Sequence, residues 1–506
     1  MNWERFAWFP TALGYALKKW ALICSFVYKQ KALLFTFIFL IMSARLFSDF
    51  NAADKDAWEK QAEKELKGKL QTLSDWTIGS ELHLEPYHTS ADIDADHAAA
   101  MQACQKSIPG WKNMPELTFS EPLKTNADMK DALENGADAV ILSLGKTSIK
   151  AYEFTKSLHG IKLSDTPVYF RTAESGLDLF REISKNAGYY LKGGIAFDPI
   201  ANWMRTGEPV ENHIHGIVSV LNESKNMRAF RPFMIEGHIY HNNGADQVQE
   251  LSFMLAATVE CLDLLTNEGV SPLVAFNRIF FSVSIGPEYL TEIAKLRALR
   301  YLLSKISDAY QLPAELCTPF IHAQTSTFYN ANVAPYTNMI RSASEAMSGV
   351  VGGCDALTVV PYDNDLAEPN KFSARIARNV SLLLNHESAF GNVADPAAGS
   401  YMLETMSLKL ADQAWEMFLN IEQQGGFMKS VESGFIGKEL KKSLEQKVSD
   451  LNQKKVMVGV NKFAEGSPQI ENVQFSDRDG INRISTFADK NLTQCYQNSI
   501  SNTVRL

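Results

Sequence analysis

From about residue 137 to 361 the chain repeats one pattern: a short apolar run of β-forming residues, then a helical stretch. The runs are Ala139–Leu144, Val168–Arg171, Ile195–Asp198, Phe230–Ile235, Ile279–Ser284, Cys317–Ala323 and Leu357–Pro361. Their starts lie roughly 30 to 50 residues apart, the length of a strand, a helix and two loops. Helical periodicity fills the intervals. Leu251, Met254, Leu255, Thr258, Leu262 and Leu265 form one stripe, and Gly269 follows as a stop. Ile293, Leu296, Leu299, Leu303 and Ile306 form another, with Glu292 and Lys295 expected on its wet side. Several runs are apolar on both faces, which suits parallel strands covered by helices. Seven such units and an eighth near 388–395 predict an α/β fold, a (β/α)8 TIM barrel. An open doubly wound sheet competes. No Gly-x-Gly-x-x-Gly follows any run, so the dinucleotide-binding form of that sheet has no support.

The 506 residues include 49 basic and 58 acidic side chains, a net charge of −9. Phosphate binding needs a surplus of Lys and Arg, so nucleic acid is not expected as a partner. Cys24, Cys104, Cys261, Cys317, Cys354 and Cys495 are widely scattered, with no Cys-x-x-Cys pair. Neither a disulfide framework nor a zinc site is indicated, and a reducing, cytoplasmic location is the expectation.

The N-terminus departs from this picture. Two apolar runs, Trp20–Tyr28 and Ala32–Met42, flank Lys29-Gln30-Lys31. Each is shorter than the ~20 residues that cross a bilayer as a helix. Three readings stand: translation from upstream with the protein starting at Met42, a membrane anchor, or a signal peptide. The first is preferred, and a membrane is a partner only if residues 1–41 are part of the mature chain. The expected division is an apolar extension over 1–41, an N-terminal arm over 42–98, the barrel over 99–430, and a C-terminal helix and tail over 431–506. The arm contains a surface helix over 54–69 with a narrow edge of Trp58, Ala62 and Leu66. The polar tail is expected to pack loosely.

In a barrel, reactive groups gather at the C-terminal ends of the strands. Four polar segments end strands here: Arg171–Glu174, Gly237–His241, His322–Ser326 and Tyr362–Asp365. His238, His241, His322 and Gln324 form either a polar cluster in the barrel mouth or a set of hydrogen bonds to neighbouring loops. Their spacing is irregular and no carboxylate pair accompanies them, so a metal site is weakly supported. No Gly-x-Ser-x-Gly elbow occurs, which leaves acyl transfer through a serine without support. Arg375 and Arg378 are placed to hold a loop carboxylate or a ligand phosphate.

Several long segments carry a resemblance. They are IEGHIYHNNGAD (235–246), FSVSIGPEYLTEIAKLRALRYLLSKI (281–306), FIHAQTS (320–326), PYTNMIRSASEAMSGVVGG (335–353), FSARIARN (372–379), VADPAAGSYMLE (393–404) and AWEMFLNIEQQGG (414–426). Together they resemble the methylmalonyl-CoA mutase family, whose members interconvert methylmalonyl-CoA and succinyl-CoA with adenosylcobalamin. The resemblance implies the same (β/α)8 barrel, with the acyl-CoA threading its interior.

The departures carry the functional expectation. Catalytic members of the family have Gly-Tyr-His where this chain has Gly237-His238-Ile239, so the resemblance implies no catalytic residue here. An Asn and a Glu of the family's cofactor environment read Val360 and Asn364. His322 and Gln324 match the family's His-x-Gln-Thr-Ser element and are retained positions of the cofactor site. The family's Asp-x-His-x-x-Gly cobalt-ligating element does not occur after residue 430, so no cobalamin-binding domain is expected in this chain. The combination looks like a small, non-catalytic subunit paired with a larger catalytic chain that binds the adenosylcobalamin. A split mutase, whose barrel keeps catalysis beside a separate cobalamin-binding chain, is the alternative.

Overall fold

The structure is a computed structural model, and it describes residues 54–69, 76–78, 82–145, 151–174, 176–187, 190–364, 370–453, 455–464 and 487–504. The apolar runs of residues 1–41, Met42 and Asp365 lie outside the described residues. Two compact units divide the chain, Met1–Leu70 and Gln71–Leu506. In the first, the expected surface helix is α1 (Lys55–Glu65), which has no buried residue. Asp54 caps it by accepting a hydrogen bond from the Ala57 N–H, as an N-cap aspartate does.

The second unit is built on parallel strands. They are β1 (Lys112–Asn113 and Glu116–Thr118), β2 (Val140–Ser143), β3 (Val168–Arg171), β4 (Gly193–Ala196), β5 (Phe230–Arg231 and Phe233–Glu236), β6 (Ile279–Ile285), β7 (Phe320–Thr325) and β8 (Ala356–Thr358). Pro115 and Pro232 split β1 and β5, because proline cannot donate to a ladder. The first piece of β1 pairs with β8, and the sheet continues β8-β7-β6 to the second piece of β5. The second piece of β1 pairs with β2, and that sheet continues β2-β3-β4 to the first piece of β5. Backbone bonds bridge the breaks: Met114 N–H to Leu357 O at 2.9 Å, Ile141 N–H to Pro115 O at 3.0 Å, and Met234 N–H to Phe197 O at 2.8 Å. The eight strands follow one another in order, a TIM-barrel-like α/β array.

The expected eighth unit near 388–395 is not a strand. That segment is a single 3-10 turn, Phe390–Asn392, after the last barrel helix. The remaining strand is β1, at the other end of the series. Its two short pieces are polar (Lys112, Asn113, Glu116, Thr118) and broken by proline, so it leaves no apolar run to find.

Alternation along the strands sorts the side chains into two layers. Met114, Ile141, Tyr169, Met234, Phe280 and Ala356 point inward and form a cluster of their own along the axis, with Phe320 packed against it. Tyr169 stacks on Phe280 and on Phe320, with centroids 4.6 and 6.0 Å apart, and the Arg231 guanidinium lies 4.2 Å over the Phe320 ring. Their neighbours Phe233, Ile235, Phe281, Val283 and Ile321 point outward into the main core. There they meet α2 (Gln247–Asn267), α3 (Tyr289–Ala309), α4 (Pro335–Val351), α5 (Lys371–His386) and α6 (Tyr401–Gln423). Beyond these come α7 (Phe435–Gln453) and α8 (Leu492–Val504). The tail is not loose at its end: Asn491, Leu492 and Thr493 are buried. No helix among the described residues is long and apolar enough to cross a membrane.

Candidate functional site

The turn after β5 is fixed by space. A Cβ on Gly237 would stand 2.6 Å from Glu250 Oε1 and 2.9 Å from the Met254 sulfur, so only glycine lets the chain pass close to α2. One short helical turn follows, His238–His241, with all four residues buried. It sends successive side chains in different directions. His238 enters the inner layer, whereas Ile239 packs into the main core among outward-facing residues.

His238 lies between two serines of β6, with Nδ1 2.6 Å from Ser284 Oγ and Nε2 2.7 Å from Ser282 Oγ. Ser282 Oγ is also 2.8 Å from His322 Nδ1, and His322 Nε2 is 2.8 Å from Thr358 Oγ1. Thr358 Oγ1 donates to the Met114 carbonyl, and that bond orders the rest. The threonine oxygen must then accept from His322 Nε2–H, so His322 Nδ1 accepts from Ser282. Ser282 in turn accepts from His238 Nε2–H, and His238 Nδ1 accepts from Ser284. This order holds with both imidazoles neutral. Burial, aided by the Arg171 guanidinium, holds His322 down to about 3, and burial likewise holds His238 well below the usual histidine range.

A second network touches the first at Ser284, whose carbonyl accepts from Lys295 Nζ at 2.7 Å. Lys295 also pairs with Glu250 at 2.8 Å and Glu292 at 2.7 Å. Glu250 lies 3.4 Å from His241 Nδ1, and His241 Nε2 is 2.7 Å from Ser326 Oγ. Ser326 N–H donates to Glu345, and Gln247 donates to Glu292. Burial works against the charge on Lys295, yet the two carboxylates outweigh it and raise its pKa. Burial also opposes the Glu250 charge, and Lys295 and His241 outweigh it there. At Glu345 burial outweighs the Ser326 N–H and the Arg341 charge and pushes its carboxyl well up.

Sequence reasoning placed Glu292 and Lys295 on the wet side of their helix, and the structure buries both to 1% exposure. The signal was present. Apolar residues surround α3, so no continuous polar face remains to be solvated.

The other sequence candidates separate. Arg171 pairs with Glu116 at 2.9 Å. Arg378 is buried and lies 3.5 Å from Asp131, a carboxylate rather than a free anion site. Asp363 accepts from Asn370 at 2.5 Å. Val360 N–H donates to Thr325 Oγ1 at 2.8 Å, tying β8 to β7. Gln324, unlike His322, keeps a side-chain oxygen without a hydrogen-bond partner. Among the described residues, no group of three or more His, Cys, Asp or Glu side chains is arranged to hold a metal ion.

Parallel strands in serial order, with polar side chains gathered at their C-terminal ends, define a TIM-barrel-like α/β protein of the kind that places its chemistry in the barrel mouth. The chain belongs to the methylmalonyl-CoA mutase family, an isomerase family: residues 145–489 match its model, described as methylmalonyl-CoA mutase. It is similar to the methylmalonyl-CoA mutase small subunit of Porphyromonas gingivalis, 28% identical over 83% of this chain and 71% of that one. The small subunit of Streptomyces virginiae gives the same identity and coverage. A methylmalonyl-CoA mutase of Rhizobium meliloti is 35% identical over 80% of this chain and 63% of its own. Among solved structures, a dihydropteroate synthase of Xanthomonas albilineans covers 56% of this chain and 93% of its own, at 14% identity and a TM-score of 0.31, a likeness too slight to bear on function.

Proposed function

We propose that this chain is the non-catalytic small subunit of a heterodimeric methylmalonyl-CoA mutase, and that a larger catalytic subunit carries out the interconversion of methylmalonyl-CoA and succinyl-CoA. One observation carries the reading: the groups at the family's catalytic positions are spent inside the protein. His238 has both ring nitrogens engaged by Ser282 and Ser284, and Ile239 packs in the main core. Neither offers a proton-bearing group to a substrate. The axis an acyl-CoA would thread is occupied by Tyr169, Phe280 and Phe320.

The described mouth does not fit adenosylcobalamin. His322 of the retained pair is closed off by Ser282 and Thr358, which leaves Gln324 with a single open acceptor. On this reading the cofactor resides in the partner, and His322 and Gln324 keep the barrel's architecture. The names of the small-subunit relatives support a partner chain. The division into an extension over 1–41, an arm over 42–98, a barrel over 99–430 and a C-terminal helix and tail over 431–506 goes with this assignment, as does a cytoplasmic location.

Activity tests it. The purified chain, given adenosylcobalamin and methylmalonyl-CoA, is expected to show no turnover and no retained corrinoid absorbance. Co-expressed with the catalytic subunit from its own host, it is expected to co-purify in equal amounts in an active complex. Turnover by the chain alone, or with only a separate cobalamin-binding chain, overturns the assignment in favour of the split mutase.

A further inference from the structure

The described C-terminal segment lies on the mouth side of the barrel. Asn243 Nδ2 donates to Phe487 O at 3.1 Å, and Lys490 N–H donates to Asn242 O at 2.9 Å. Leu492 N–H donates to Phe328 O at 2.9 Å, and Asn491 Nδ2 to Asn330 O at 2.8 Å. Asp489 stands 3.9 Å from Arg205, which itself pairs with Glu236 at the end of β5. One stretch of seven residues thus ties together the loop after β5 and the loop after β7. These loops carry His238 and His241 on one side and Ser326 on the other. Ligands of a barrel are handled at this face, so the segment occupies the approach to it.

The way it is held differs from the way the barrel is held. Most of the attachment is to loop carbonyls and amides. Its buried apolar anchor, Leu492, sits in a small cluster with Phe328, Ala331, Leu451, Met457 and Val460, separate from both the main core and the axis cluster. Phe487 is partly buried and packs against the main core. Segments with few buried apolar contacts and many loop hydrogen bonds open at lower cost than the core beneath them.

The geometry points to a closing strap: residues 487–493 form a lid supplied by the chain itself, which closes the barrel mouth and opens without unfolding the strands. Closed, it keeps small molecules from the β5 and β7 loops. It also keeps water from the His241–Glu250–Lys295 network, whose ion pairs attract more strongly in a dry site. This goes beyond the subunit assignment and does not depend on it, since it concerns access to the mouth whatever the partner does.

Hydrogen–deuterium exchange tests it on the full chain, on a chain ending at residue 486, and on a full-length Asn491→Ala, Leu492→Ala variant. Removing or weakening the strap is expected to raise exchange by about tenfold or more in segments 238–246 and 326–331, as local opening predicts. Protection of β6 and β7 is expected to stay as in the full chain. A synthetic peptide of residues 487–506, added to the shortened chain, is expected to restore the loop protection. Unchanged loop exchange in both altered chains overturns the lid. So does loss of protection through β6 and β7, or failure of both altered chains to fold, since the segment is then part of the core.

Discussion

Ser284 shows how one small side chain sets the chemistry of this barrel mouth. Its hydroxyl donates to His238 Nδ1, and its carbonyl anchors Lys295, so the neutral histidine chain and the buried charges meet at one residue. The cost of Lys295 in a dry site is met only while both carboxylates hold it. Lys295→Met leaves Glu250 and Glu292 buried without their cation, and is expected to destabilise by about 3–5 kcal/mol in urea unfolding. Adding Glu250→Gln and Glu292→Gln to that variant is expected to recover most of the loss. A triple variant as unstable as the single one would show that packing, not charge, is at stake. The histidines predict a pH dependence. His322 titrates near 3 when folded and from 6.5 when unfolded, so the unfolded chain binds the extra proton between those values. The stability it contributes is present above pH 6.5 and is lost as pH falls toward about 3. His322→Asn is expected to flatten the decline of unfolding free energy between pH 6.5 and 4.5, measured by urea titration. An equally steep decline in the variant would assign the acid sensitivity to other groups.

Strand β4 illustrates what a short element demands of its sequence. It opens with Gly193 at φ +105, and a Cβ there would stand 2.1 Å from the Val168 carbonyl of β3. Gly193→Ala must either push β3 away or leave its left-handed conformation. It is expected to cost about 2–4 kcal/mol, read as a lower urea midpoint with an unchanged far-ultraviolet spectrum. A midpoint within error of the parent would mean that β3 yields freely. The helices were legible because they are long. The stripes over 251–265 and 293–306 fall inside α2 and α3, each of 21 residues. The strands were legible where both faces are apolar, as in β6, buried throughout its length. β1 was not, since its two pieces are polar and Pro115 divides them. A turn at 388–395 took its place in the sequence count, because a short run of small and apolar residues does not distinguish strand from 3-10 turn.

At the scale of the whole molecule, the motifs were enough to assign the family, and the recurring β-then-helix pattern was enough for the fold class. Both depend on local order along the chain: periodicity belongs to an element, and a motif to a segment. The identities of His238, Ile239, His322 and Gln324 were likewise plain in the sequence. What each side chain does there was not. Whether His238 and Ile239 face the axis or the core turns on the pitch of one short helical turn after β5. That Glu292 and Lys295 are dry is hinted at by the apolar residues all round α3, but which partners satisfy them depends on the helices and strands packed against it. The closing of the histidines on Ser282, Ser284 and Thr358 joins residues from β6, β7, β8 and the turn after β5, which are neighbours only once the strands are paired. The sequence by itself determined the long helices, the apolar strands, their order and the family. Tertiary structure alone decided which polar groups are spent on one another, because burial and hydrogen-bond partnership are properties of residues far apart in the chain and brought together by the fold.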